Sequence, residues 1–294
     1  MKFKALISSS SFSLLVIGAL LLSLSPIFVR LSEVGPIATG LYRMSLALPA
    51  FWIWMIIQNR SETRIQRDWN PRSIALLSLA GILFGLDLTA WNWSLSLTSV
   101  ANATVLGNAA PVFVTVAAWI LFREKPTRLF ITGLMLTLIG VAITMSGSFA
   151  ISPTSVLGDA LGLLTAVFYG GYLLTVSRLR KSFRTSEIMA ISGATAALFL
   201  LILTLATENH LAPLTLLGWI WLLALAYVSQ VAGQSLVAST MAHLSAALSA
   251  TILLIQPAGA AVLAWLLFDE TFTYIQTIGI LVILAGIWLA KRGS

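Results

Sequence analysis

Hydrophobic residues along this chain come in long unbroken runs rather than on one face of shorter elements. Ten such runs follow one another, at roughly 11–30, 36–57, 73–95, 99–121, 128–147, 156–177, 187–206, 214–235, 243–267 and 273–290. A helix rises about 1.5 Å per residue, so each run is long enough to cross a hydrocarbon layer about 30 Å thick. Breakers gather between the runs: Pro36, Asn70-Pro71, Pro126, Ser152-Pro153 and Pro213. The pattern predicts an all-α polytopic membrane protein with ten transmembrane helices. Lys2 and Lys4 precede the first run as in a signal peptide. That run is long, however, and no small-x-small cleavage site leads into a polar domain, so it reads as a retained helix.

Composition agrees with the pattern. Of 294 residues, 59% are hydrophobic and 9% charged, against about 25% charged in soluble domains. The net charge of +7 then points to basic loops facing the cytoplasm, not to nucleic acid. With the N-terminus inside, the inner loops take fifteen of the seventeen Lys and Arg, at Lys2 and Lys4, 60–72, 123–128, 178–184, Lys291 and Arg292. Both termini are therefore expected in the cytoplasm, with the chain in the cell inner (plasma) membrane. There is no cysteine, and the two histidines, His210 and His243, lie far apart. No metal site, cofactor or catalytic set is expected, and the chain does not read as an enzyme.

The halves repeat at a constant offset of 146. Pro111 aligns with Pro257, Trp119 with Trp265, Glu124 with Glu270, Gly133 with Gly279 and Gly140 with Gly286, giving 13 identities over the 47 positions from Ala101 to Gly147. Scattered Leu and Ala matches arise from apolar composition, but paired Pro, Trp, Glu and Gly do not. The division is 1–147 and 148–294, five helices each. An odd number inverts the second copy, and the loops agree: Arg123-Glu124-Lys125 becomes Asp269-Glu270-Thr271. Inverted five-helix repeats imply a secondary transporter working by alternating access.

At this point the chain resembles the drug/metabolite transporter superfamily, in its EamA-type branch. The resemblance rests on Arg43, the stretch Asp87 to Ser94, Thr98 to Ala103, Pro111 through Trp119 to Glu124, Ser245, Gln256-Pro257 and Trp265 to Glu270. It implies an inner-membrane exporter of small metabolites, amino acids or drugs, proton-coupled or an exchanger. It also implies a cavity among helices 1, 3, 4, 6, 8 and 9, with helices 5 and 10 peripheral. A lipid-linked-intermediate flippase or a membrane-embedded lipid-modifying enzyme is the alternative. The latter needs acids or histidines clustered at one interface, and none is evident.

Ionisable groups at membrane depth are costly and face cavities or partners. Asp87 lies about 15 Å and Arg43 about 11 Å from the outer ends of their helices. Asp87 is then either a coupling or substrate-amine group, or half of a structural ion pair with Arg43. Trp91, Asn92, Asn102, Asn108, Tyr169, Tyr172, Gln230, Gln234 and Gln256 are candidate substrate contacts, since a metabolite pocket sets amides and hydroxyls among aromatic walls. Each could instead bond between helices, at about 0.6 kcal/mol. Gln256 stands out because Pro257 frees a carbonyl beside it. The expected partners are a small-molecule substrate and the lipid bilayer. The oligomeric state is open.

Overall fold

In a computed structural model the described residues are 2–61, 69–98, 100–145, 156–268 and 273–294, without the side chains of 2–9, 61, 96, 100–102, 122, 145, 264, 265, 267 and 268. Every regular element among them is helical. Ten apolar helices run in order: α1 Ser10–Arg30, α2 Pro36–Arg60, α3 Pro71–Leu95, α4 Ala103–Leu121, α5 Arg128–Thr144, α6 Val156–Leu179, α7 Thr185–Thr207, α8 Leu216–Thr240, α9 Ala246–Leu263 and α10 Tyr274–Arg292. Nine of these are long and apolar enough to cross a membrane, and α5 is shorter. Of the paired tryptophans, Trp119 projects outward from the end of α4. Trp265 and Glu270 fall outside the described side chains.

Four helices are interrupted. Turns fall at Ser23–Leu24 in α1, Leu46–Ala47 in α2, Asn108–Ala109 in α4 and Leu254 in α9, each two or three residues before a proline: Pro26, Pro49, Pro111 and Pro257. Proline lacks an N–H and its ring collides with the carbonyl four residues back, so the ladder gives way there. Side chains near the breaks bond to carbonyls one turn back. Ser23 Oγ donates to Ala19 O at 3.0 Å, Asn108 Nδ2 to Thr104 O at 2.7 Å and Thr251 Oγ1 to Ala247 O at 2.9 Å. In α8 the distortion has no proline: Leu225–Gln234 winds as a π-helix. Such segments are rare and concentrate at functional sites.

Glycines set the closest packing. A Cβ on Gly81 would stand 2.3 Å from Ser192 O of α7, and one on Gly158 2.8 Å from the Leu97 backbone at the end of α3. Both small-xxx-small pairs, Gly81/Gly85 and Gly158/Gly162, are therefore spent on contacts within the chain. The pair α5 and α10 makes four such contacts. A Cβ on Gly286 would meet Thr137, one on Gly140 Ile283, one on Gly279 Thr144 and one on Gly133 Ala290, all between 2.3 and 2.8 Å. The two helices run antiparallel, and a shift of 146 exchanges these contacts in pairs. Thr137 becomes Ile283 as Gly286 becomes Gly140, and Thr144 becomes Ala290 as Gly279 becomes Gly133.

One end of the bundle is tied by two crossed carboxylates. Glu208, after α7, accepts from Ile37 N at 2.7 Å and Ala38 N at 2.9 Å, capping α2. Glu33, after α1, accepts from Leu214 N and Thr215 N at 2.9 Å each and from the Thr215 hydroxyl, holding the segment that leads into α8, whose first turn Thr215 itself caps through Gly218 N. Four orphan amides open every helix, and a carboxylate there also meets the positive end of the helix dipole. The Thr215 hydroxyl and amide hold the Glu33 carboxyl below the usual carboxylate range. Tyr42 fastens the same region, donating to Leu211 O at 2.6 Å and meeting Trp219 edge-on at 5.4 Å. At the opposite end Arg184 Nη1 and Ser186 Oγ donate to the Gln58 backbone and side-chain oxygens, tying α7 to α2.

Candidate functional site

The deepest polar residues converge where α2, α3, α6 and α8 meet. Arg43 occupies the last turn of the first half of α2, Pro36–Ser45. The break beyond it leaves carbonyls at the negative end of the half-helix dipole, a favourable place for a cation. Its Nε donates to Gln230 Oε1 at 2.8 Å and its Nη1 to Ser25 Oγ at 3.1 Å. Ser25 opens the second half of α1, immediately after that helix's break, and Gln230 sits in the π segment of α8. Three irregular stretches thus supply one guanidinium and two of its acceptors.

Aromatic rings form the opposite wall. Phe84 lies 5.5 Å from the Arg43 guanidinium carbon and 4.8 Å from the Tyr172 ring, and Tyr169 stacks on Tyr172 at 5.9 Å. Gln234, one π turn beyond Gln230, donates from Nε2 to Tyr172 OH at 3.2 Å, and that hydroxyl faces Met189 Sδ at 3.9 Å. Asp87 lies one turn beyond Phe84 on α3. It is 8% exposed, as is Arg43. Among the described residues neither a hydrogen bond nor an ion pair reaches its carboxylate.

Gln230 is wholly buried, and its Nε2 has no partner among the described residues. Arginine has no acceptor, so the amide orientation is fixed by Arg43 Nε, and the orphan is the donor end. Buried polar groups are almost always paired, and each exception calls for a reason.

The remaining candidates divide. Trp91 packs over Gly107 of α4, where a Cβ would stand 3.1 Å from the ring and 3.4 Å from Thr165 of α6. The Thr165 hydroxyl beside it is buried without a partner among the described residues. Asn92 is used on the backbone, its Nδ2 donating to Pro36 O at 2.8 Å. Asn108 bonds within its own helix. Gln256 is half-buried, and among the described residues no hydrogen bond ties it to the cluster. The Asn102 side chain lies outside the described residues. Helix α2, not among the helices expected to line the cavity, contributes Arg43 to the centre. Phe84 and Ser25 were missed in the sequence; Phe84 was signalled by its place one turn before Asp87, and Ser25 by the proline that follows it. Two grooves, about 420 and 380 Å³, lie elsewhere, on the α2–α8 face by Trp54 and between α1, α9 and α10.

The profile of the EamA-like transporter family matches residues 9–146 and again 156–292. The pseudopaline exporter CntI of Pseudomonas aeruginosa is 27% identical over 221 residues, covering 75% of this chain and 76% of that protein. An uncharacterized transporter of Archaeoglobus fulgidus is 25% identical over 198 residues, 66% of either chain. One solved crystal structure shares the fold with a TM-score of 0.80 at 18% identity, covering 97% of both chains.

Proposed function

Since the chain belongs to the EamA-like transporter family, we propose that it is a secondary transporter exporting a small metabolite, amino acid or drug across the inner membrane. It is a multi-pass membrane protein of the transporter class. Within that class, the reading that fits best has ten helices in two inverted five-helix repeats, 1–147 and 148–294, with both termini cytoplasmic. Two features support the inversion: the antiparallel α5–α10 contact whose members interchange under the 146-residue shift, and the basic bias of alternate loops. Export is the direction in the name of the Pseudomonas relative.

The observation that carries the reading is the buried cluster of Arg43, Asp87, Gln230 and Gln234 against Phe84, Tyr169 and Tyr172. Charge at this depth is expensive and serves transport pathways more often than stability. In alternating access, substrate occupies this level while the ends open in turn, with the Glu33 and Glu208 contacts closing one end. Trp91, Asn102 and Gln256 then line the path, and coupling is to protons or by exchange.

Cysteine accessibility on the naturally cysteine-free chain tests this reading. In intact cells, cysteines at Ser61 and Ser182 should be shielded from an impermeant thiol reagent and one at Asn209 labelled. Added substrate should change labelling on the two sides in opposite directions. Labelling at Ser61 but not Asn209 overturns the orientation. Unchanged accessibility during full-rate transport overturns alternating access and favours a fixed pore or a lipid-side route.

A further inference from the structure

The seam between α1 and α10 carries two features that the central cluster does not use. At one end lie the cations of the last turn of α10, Lys291 and Arg292. A helix C-terminus favours basic residues, but that does not account for where these two point. Lys291 Nζ reaches across to α1 and rests over the Phe12 ring, 3.5 Å from its centroid, and the Arg292 guanidinium lies over Trp288 at 3.8 Å. Both residues are exposed, and among the described residues no carboxylate bonds to either. Stacking occupies the face of a guanidinium and leaves its N–H edge free, the edge that grips a phosphate through paired bonds. Farther along the same seam, an apolar groove of about 380 Å³ lies between α1, α9 and α10. Leu20, Leu24, Ala258, Ile280 and Leu284 line it. A Cβ on Gly259 would stand 2.4 Å from the Ser23 hydroxyl oxygen, so position 259 offers no side chain to fill the space. Ile280, Leu284 and Lys291 share one stripe of α10 at helical spacing. At about 1.5 Å per residue, the groove begins about 10 Å from Lys291 and extends to about 16 Å. One leaflet of hydrocarbon is about 15 Å deep.

We infer that this seam is a binding site for an anionic phospholipid, its phosphate held by Lys291 and Arg292 and one acyl chain running along α10 into the groove. A chain that enters the groove leaves one apolar medium for another, so the hydrophobic effect adds little. Selectivity therefore resides in the two cations. Their rings hold them at the mouth of the seam. Trp288, more than half exposed beside them, stands where aromatic side chains meet the headgroups. The opposite end of the seam has the reverse character. The first turn of α10 begins at Tyr274 without a cation, and Asp269-Glu270 precede it in the sequence. An anionic headgroup is repelled there, which assigns the lipid to one leaflet. The groove by Trp54 differs too, since Ser235 and Ser239 are its polar lining and no cation borders it.

The test uses the purified full chain in detergent, with phosphatidylglycerol and phosphatidylcholine of identical acyl chains as probes. Native mass spectrometry counts the bound lipid, and thermal shift follows the stabilisation. Phosphatidylglycerol should bind at least about tenfold more tightly than phosphatidylcholine, a factor that two nearby basic residues supply. The preference should disappear when Lys291→Gln and Arg292→Gln are combined, both positions being exposed. Arg60→Gln, which removes another exposed cation at the end of α2, should leave it unchanged. Leu284→Trp, which fills the groove, should weaken phosphatidylglycerol severalfold. Glycerol phosphate, a headgroup without chains, should not stabilise the protein. If Leu284→Trp fails to fold, a phosphatidylglycerol carrying a photoreactive group near the end of one chain decides, with adducts expected within 255–263 or 280–284. Equal affinity for the two lipids, equal losses in the Arg60 and the double variants, or full affinity in a folded Leu284→Trp overturns the site. So does stabilisation by glycerol phosphate alone, or adducts scattered over the other helices.

Discussion

Two sets of acids in this protein meet opposite fates. Glu33 and Glu208 stand at a helical end, close to water, and both are supplied with backbone N–H donors across a sequence separation of 170 residues or more. Asp87 lies far deeper, where an unpaired charge is most costly, and is supplied with none among the described residues. A fold selected only for stability would reverse that distribution. The contrast separates polar residues that hold the structure from those that await something else. By the same measure Asn92 and Asn108, whose amides are committed to backbone carbonyls, belong with the clamp. Gln230 belongs with Asp87.

The largest effect that bears on this contrast is expected from Asp87→Asn. If the carboxylate serves substrate, transport falls at least about tenfold, equivalent to about 1.4 kcal/mol or more, while the melting temperature of the detergent-solubilised protein stays near wild type. A structural ion pair gives the reverse pattern: about 3–5 kcal/mol lost on removing either partner, and much of it recovered in Asp87→Asn with Arg43→Gln. Differential scanning fluorimetry on the three variants decides between them.

A smaller effect is expected in the clamp. Glu208→Ala strips the carboxylate from Ile37 N and Ala38 N, and losing a helix cap costs about 0.5–2 kcal/mol. At about 2–4 °C per kcal/mol for a chain of this size, the melting temperature should drop by a few degrees, with ligand affinity at the cluster changed less than about threefold. A collapse of binding in this variant would merge the two sets of acids into one machine and end the distinction.

The smallest effect is the pH response of Glu33. Its carboxyl is held low by the Thr215 hydroxyl and amide, so folding favours the charged form. That contribution is complete above the unfolded value of about 4.3 and fades as pH falls through the lower folded value. An acid series below about pH 4 should therefore lower the melting temperature more in wild type than in Glu33→Gln. Parallel curves would show that the bonds to Leu214 and Thr215 contribute nothing in solution.

How much of this was legible in the sequence follows from the range of the interactions involved. The apolar runs, the glycine register and the depth of Arg43 and Asp87 depend on local spacing, and all were readable. So was the interruption at Pro257, because proline acts on its own helix. The π segment at Leu225–Gln234 carries no breaker and left no mark, although it sets the positions of Gln230 and Gln234. The bond from Arg43 to Gln230 spans 187 residues and depends on that distortion together with the break in α2. Helix α2 was consequently left out of the cavity-lining set. The crossed carboxylate bonds were hidden for a similar reason, since Glu33 and Glu208 sit in ordinary short loops and find their amides only after assembly.

The α5–α10 contact has a mechanical consequence. Where backbone rests on backbone, as at Gly133, Gly140, Gly279 and Gly286, no side-chain torsion is available to yield, and sliding one helix along the other drives atoms together within a fraction of a turn. The two helices therefore behave as a rigid axle. Motion in the rest of the bundle must be accommodated at softer joints, the interrupted helices α1, α2, α4 and α9 and the π segment of α8. A bulky residue at Gly140 would jam the axle, whereas the same residue on the outward face of α5, at Ile139, would turn freely with it.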